Sequence, residues 1–159
     1  MANYLYDLHS LEGKYGAFTA QVNETNGIDR GQIVKPGNTS TEATTTNYNQ
    51  GSGIIEVSLA NANGDEALTC GIALKDADDN EQISVATRGI FLMQANAAID
   101  AGKAVGLMSG GDTTASKLEV IAAGARPFGI ALTSCNAQNE YVLVLVTHFG
   151  WSADGAETA

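Results

Sequence analysis

The chain has 159 residues, of which 44% are apolar and only 16% charged, and its formal net charge is −10. That supplies one packed domain with room for an attached arm, and it weighs against wholesale disorder. It also weighs against binding nucleic acid or an anionic membrane, because both draw on a surplus of Lys and Arg. The basic residues, Lys14, Arg30, Lys35, Lys75, Arg88, Lys103, Lys117 and Arg126, are scattered singly. Low charge with abundant Gly, Ala, Thr and Asn suits a β protein whose surfaces meet other proteins.

Residues 1–16 place Tyr4, Leu5, Tyr6, Leu8, Leu11 and Tyr15 among polar residues, with neither strand nor helix periodicity. They read either as an arm that docks on a partner or as an irregular segment packed on its own domain. The stretch lacks a positive region followed by an apolar one, so no signal peptide is expected. No apolar run approaches the roughly 20 residues that span a bilayer. The expected setting is the cytoplasm, or an assembly made there.

From Ala17 onward, Phe18, Ala20 and Val22 alternate with Thr19, Gln21 and Asn23, the pattern of a half-buried strand. Gln32 to Lys35 offers a second strand, ended by Pro36-Gly37. Residues 37–53 have Tyr48 as their one large apolar side chain and read as an exposed Thr/Asn-rich loop. Strand pattern returns at Ile54 to Leu59, followed by a turn at Asn63-Gly64-Asp65. Then come Leu68 to Leu74, an acidic turn at Asp76 to Asn80, and Ile83 to Thr87. Gly89 to Met93 follows so closely that one bent strand, broken at Gly89, is expected.

Asn96 to Ala101 is the best helix candidate, with Asn96 as its cap and Gly102 as its left-handed stop. Ala104 to Met108, a Ser109-Gly110-Gly111-Asp112 turn, Leu118 to Ile121, Phe128 to Leu132 and Tyr141 to Val146 complete the pattern. Short strands at regular spacing with Gly, Asn and Asp turns argue for an all-β sandwich or barrel. The expected fold is therefore mainly β and compact, with one short helix and an extended N-terminal arm. In residues, that is an arm at 1–16, one β-rich domain at 17–150 and a flexible tail at 151–159.

No catalytic motif emerges. Asp76, Asp78, Asp79 and Glu81 open like a calcium loop, but Glu81 stands where glycine is required and Thr87 where a bidentate Glu is required. A solvated acidic turn is the better reading. His9 and His148 lack the companions of a metal site. Cys70 and Cys135 are in no ligand spacing and read as reduced, core-type thiols. A pairing of Cys135 with His148 lacks an orienting third group. Lys103 follows Gly102 without a phosphate-binding loop around it. The chain is not expected to be an enzyme, and no cofactor or metal is expected.

Gly71-Ile72-Ala73-Leu74 and Gly129-Ile130-Ala131-Leu132 are identical tetrapeptides, each followed by a polar turn and a strand. Such hairpins place a glycine where two backbones approach and an Ile/Leu pair on one face. The repetition fits either a duplicated hairpin or convergence on a common β element.

The second half of the chain resembles phage head-decoration, or capsid cement, proteins. The matching elements are V-A-T-x-G-I-F at Val85 to Phe91, I-D-A-G-K-A-V at Ile99 to Val105 and R-P-F-G-I-A-L at Arg126 to Leu132. A closing V-L-V-L-V strand at Val142 to Val146 completes them, so the resemblance covers residues 70–147. It implies a compact β-tulip-like fold, related in architecture to the small head-decoration protein of phage lambda, with no catalytic residues. It also implies a virion protein on the outer capsid surface, present in the host cytoplasm during assembly. Its implied partners are the major capsid protein and its own copies, as a homotrimer at threefold or quasi-threefold positions. The long first half departs from the shorter members of the family.

Three functions follow for comparison. Capsid decoration would use residues 141–146 as scaffold, residues 37–53 as a polar outward face, and Tyr4, Leu5, Tyr6, Leu8, Leu11 and Tyr15 as capsid contacts. A tail-tube or fibre-associated β domain would form rings or filaments. A small-ligand-binding barrel would hold a deep apolar pocket with convergent polar groups.

Overall fold

Alternation of side chains along the first strand buries Ala20 and Val22 and leaves Thr19 to solvent. The computed structural model describes residues 16–37, 55–62, 65, 68–108, 114–121 and 127–147. The expected arm, most of the Thr/Asn-rich loop and the tail lie outside these residues.

Strands β1 (Ala17–Val22), β2 (Ile33–Pro36), β3 (Ile55–Leu59), β4 (Gly71–Ala73) and β5 (Gln82–Ala86) form a closed barrel in the order β1-β3-β2-β4-β5. The β1–β3 pair is parallel and the other four pairs are antiparallel. Strands β6 (Gly89–Ala95), β7 (Ala104–Leu107), β8 (Lys117–Val120), β9 (Gly129–Ala131) and β10 (Tyr141–Val146) form a second closed barrel, in the order β6-β8-β7-β9-β10. Here β6–β8 is the parallel pair and the rest are antiparallel. The two barrels thus share one topology. The fold is mainly β, as the sequence implies, and the span read as a single domain holds the same unit twice.

The correspondence extends to single atoms. Ile28 exchanges backbone hydrogen bonds with Ala77 at 2.8 and 2.9 Å, and Ile99 does the same with Cys135 at 3.0 and 2.9 Å. The amides of Gly31 and Gly102 donate to the carbonyls of Ala73 and Ala131. Asn80 and Asn139, each followed by a Glu, adopt positive φ of 66° and 67°. The repeated tetrapeptide is therefore one visible piece of a duplicated barrel, β4 in one unit and β9 in the other.

Its glycines sit where neighbouring strands cross. A Cβ on Gly71 would lie 2.2 Å from Val85 Cγ1 and 2.8 Å from the Ala86 carbonyl oxygen. A Cβ on Gly129 would lie 2.6 Å from the Leu145 carbonyl oxygen and 2.7 Å from Val144 Cγ1. No other residue fits either position without moving the partner strand.

Two sequence expectations are corrected. Asn96 to Ala101 forms no helix: the chain bends, pairs Ile99 with Cys135 as a β-bridge, and turns at Ala101-Gly102, with Gly102 at φ +84°. A segment this short cannot offset helix nucleation, and burial of Ile99 to 1% exposure draws it into the barrel. The strand expected to bend at Gly89 is two strands of different barrels, since β5 pairs with β1 and β6 with β10. Thr87 and Arg88 form the whole connection.

Inside the first barrel lie Ala20, Val22, Val34, Val57, Ala73, Ile83 and Val85, in one cluster that also takes in Ala115 from the segment before β8. Ile33, Ala60, Ile72 and Ala86 instead belong to a cluster with the interior of the second barrel, including Phe91, Val105, Leu118 and Val144. Ile33 and Ile72 alternate with Val34 and Ala73 along their strands, so they point out of the first barrel. Hydrogen bonds tie the junction, among them those from Ile33 N to the Ala115 carbonyl at 2.7 Å and from Gln32 Nε2 to the Thr114 carbonyl at 3.0 Å.

Replacing Gly71 or Gly129 with Ala overpacks a strand crossing and is expected to lower unfolding free energy by about 1–3 kcal/mol in each case. Ile72→Ala leaves a cavity between the barrels and is expected to cost about 2–5 kcal/mol. Urea denaturation curves of the purified variants check all three.

Candidate functional surface

The barrel interiors are occupied by their own side chains. Phe91, Leu118, Phe128, Val142 and Val144 in the second barrel, and Ile28, Val34, Val57 and Ile83 in the first, are at most 1% exposed. A hollow at the junction is lined by Asp29, Arg30, Gly31, Gln32, Met93, Gln94, Thr114, Ser116 and Tyr141. Its two small hydroxyls, Thr114 and Ser116, bond to each other at 2.8 Å, and no thiol or imidazole is among its lining residues. Another hollow, beside Arg88, Gly89 and Leu145, lies open on the surface. Neither assembles a nucleophile with a base.

The acidic turn is a structural device. Asp76 Oδ1 accepts from Arg30 N at 2.7 Å, and Asp79 Oδ1 accepts from Glu24 N at 3.1 Å. Glu81 Oε2 accepts from Asp78 N at 3.1 Å within the turn. Carboxylates that accept backbone amides stitch the β1–β2 connection to the β4–β5 connection. The second barrel repeats the arrangement with fewer charges: Ser134 Oγ accepts from Ala101 N at 3.0 Å, and Glu140 Oε2 accepts from Asn136 N at 2.7 Å. Among the described residues, no group of three or more His, Cys, Asp and Glu is placed to hold a metal ion.

Near the start of β4, Asp65 Oδ2 accepts from Lys35 Nζ at 2.7 Å and from Ala62 N at 2.8 Å. Both polar contacts are needed, because the Asp65 side chain is 8% exposed and an unpaired carboxylate there would be costly. Cys70 and Cys135 are free thiols in different barrels. Burial pushes the Cys70 thiol up to about 12, from an ordinary value of 9.0. A thiol held protonated in this way is a poor nucleophile.

What remains is the outer surface, and here the two barrels differ. Outward positions are Ala17, Thr19 and Gln21 on β1 and Gln82, Ser84 and Ala86 on β5, four of them polar. In register, Thr19 and Ser84 correspond to Leu92 and Leu143, Gln21 and Gln82 to Gln94 and Tyr141, and Ala17 and Ala86 to Ile90 and Leu145, so the second barrel carries four half-buried aliphatic side chains here, Leu92, Leu143, Ile90 and Leu145. Ile130 and Leu132, each 44% exposed, extend this face across β9. Leu145 stands opposite both Ile90 and Ile130 in the sheet, and Leu143 stands opposite Leu92, so the aliphatic residues form one patch. Tyr141, 57% exposed, lies at its rim.

A phage cement protein family model matches residues 15–147. The chain belongs to the phage cement protein family. The resemblance seen in residues 70–147 therefore extends over both barrels, and residues 17–59 are as much scaffold as the rest. A search of curated proteins found no match to this cement protein. Among solved structures, it is similar to the head fiber gp8.5 N base of bacteriophage phi29, with a TM-score of 0.52 and 18% identity. That similarity covers 87% of this chain and 99% of the other, and at this identity it shows a shared fold.

The sequence candidates Tyr4, Leu5, Tyr6, Leu8, Leu11 and Tyr15 lie outside the described residues, and so does His148. The aliphatic face of the second barrel went unnoticed in the sequence. Its signal was present in β6 and β10, where Ile90 to Met93 and Val142 to Val146 are apolar at every position. A barrel strand with one solvated face would alternate.

The raised Cys70 value has a pH consequence. The folded chain keeps this proton after the unfolded chain has released it, so the stabilisation is complete below 9.0 and is lost as pH climbs towards about 12. Wild type is expected to lose stability over that window more steeply than Cys70→Ala, as urea denaturation at stepped pH will show. The native thiol is expected to label slowly with a thiol reagent and rapidly once the chain is denatured.

Proposed function

We propose that this cement protein binds the outer surface of a phage capsid and stabilises the expanded head, as a homotrimer at threefold or quasi-threefold positions. The family match across both barrels is the observation that carries this reading. The major capsid protein is the partner, the assembled virion is the final location, and the host cytoplasm is where assembly occurs. No catalysis is required. Binding only to the assembled shell shifts its equilibrium away from disassembly, and many repeated contacts multiply the effect.

Two closed barrels suit such a clamp. Their strands have no free edges, so the scaffold neither polymerises by strand addition nor deforms easily. In this reading Tyr4, Leu5, Tyr6, Leu8, Leu11 and Tyr15 dock on capsid subunits, supplying aromatic and aliphatic anchors.

A second reading takes its support from the fold shared with the phi29 head fiber base. There the two barrels would be the head-bound base of a longer appendage. It predicts projections from the head in electron micrographs of native particles, which a simple decoration protein does not produce.

Purified protein is expected to co-sediment with expanded capsids lacking it and to raise their disruption temperature. No binding to expanded or unexpanded shells would overturn the proposal. Deleting residues 1–13 is expected to weaken binding and leave the circular dichroism spectrum unchanged; undiminished binding would remove the arm from the contact surface.

A further inference from the structure

The duplication supplies an internal comparison for the aliphatic face. In the first barrel Ile72 stands opposite Ala86, and both are buried against the second barrel. Their equivalents in the second barrel are Ile130 and Leu145, which stand opposite each other in the same register. Ile130 is 44% exposed where Ile72 is 0% exposed. The same position in the repeat is thus covered by a barrel of this fold in one unit and remains open in the other.

We propose that the β6–β10–β9 face of the second barrel, centred on Ile90, Leu92, Ile130, Leu132, Leu143 and Leu145, is the surface on which a second copy of this chain docks. The inference rests on the homotrimer reading above and gives it a location. Three observations favour a second copy over another occupant. First, the equivalent face of the first barrel already packs against a barrel of this kind. Second, the patch is aliphatic and uncharged, resembling a protein core cut in half, which is the chemistry of permanent self-association; transient interfaces are more polar. Third, every copy carries a net charge of −10, so copies approach one another most easily through a face free of charge.

Closure of both barrels narrows the geometry further. With no edge strand to extend, copies meet through side chains that stand on a hydrogen-bonded ladder. The ladder holds these side chains rigid in the free chain, so little ordering is required on association. On the first barrel, the outward residues of β1 and β5 beyond the Ile72–Ala86 contact, Thr19, Gln21, Gln82 and Ser84, are polar.

The test uses the full chain without capsids. Light scattering coupled to size exclusion should give wild type a mass that is a multiple of 16.4 kDa. The double variant Ile130→Glu, Leu145→Glu places like charges on the face of every copy and should elute at the monomer mass with an unchanged circular dichroism spectrum. A wild-type monomer at all concentrations would overturn both this inference and the homotrimer. An oligomer that survives the double substitution would overturn the inference alone and leave the homotrimer standing. Loss of capsid binding by a variant that stays oligomeric would assign the face to the shell and also overturn it. Ile130→Cys gives a readout that does not depend on tolerating buried charge. A short bismaleimide should join its copies covalently, and absence of cross-linked chains would overturn the proposal.

Discussion

Closing a five-stranded sheet on itself brings the fourth and fifth strands of each unit to a close crossing, and Gly71 and Gly129 are the residues that permit it. A side chain at either place would strike the neighbouring backbone and push open the ladder beside it. Once the crossing forms, the short β4 and β9 strands bridge β2 to β5 and β7 to β10. Closure pairs every strand on both sides, and the protein is left with side-chain surfaces as its means of contact.

The duplicated unit has been put to different uses. In the first barrel, the outward side chains Ile33 and Ile72 join the second barrel, and the remaining outward face is polar. In the second barrel, the outward face of β6, β10 and β9 is aliphatic, and Ile130, the equivalent of buried Ile72, is exposed. The acidic turn Asp76 to Glu81 and its sparser equivalent around Glu140 show the same divergence. Hydrogen-bond geometry is kept, while charge is removed from the barrel that bears the aliphatic patch.

The strands, their turns and the β class were legible because alternation and Gly/Asn/Asp punctuation are local signals. The short helix at Asn96 to Ala101 was misread because its local signals were real but weak. The cap residue and the alanines favoured helix, and burial of Ile99 against Cys135 outweighed them. The duplication was half visible. Gly-Ile-Ala-Leu repeats letter for letter 58 residues apart, whereas Asn80 and Asn139 are 59 apart and Ile28 and Ile99 are 71 apart, because the loops differ in length. Only the shared backbone pairing aligns them.

By itself the sequence determined most of the strand segments, the glycines that mark close backbone approaches, and the resemblance to phage cement proteins. The strands and glycines follow from side-chain size, periodicity and charge, all properties of neighbours along the chain. It could not decide which strands close with which, nor that Thr87-Arg88 separates two barrels, because parallel pairs such as β1–β3 and β6–β8 join segments far apart in sequence. Nor could it distinguish Ile72 from Ile130. The two lie in identical tetrapeptides, and one is core while the other is surface only because a second barrel packs on one side of the molecule and not on the other.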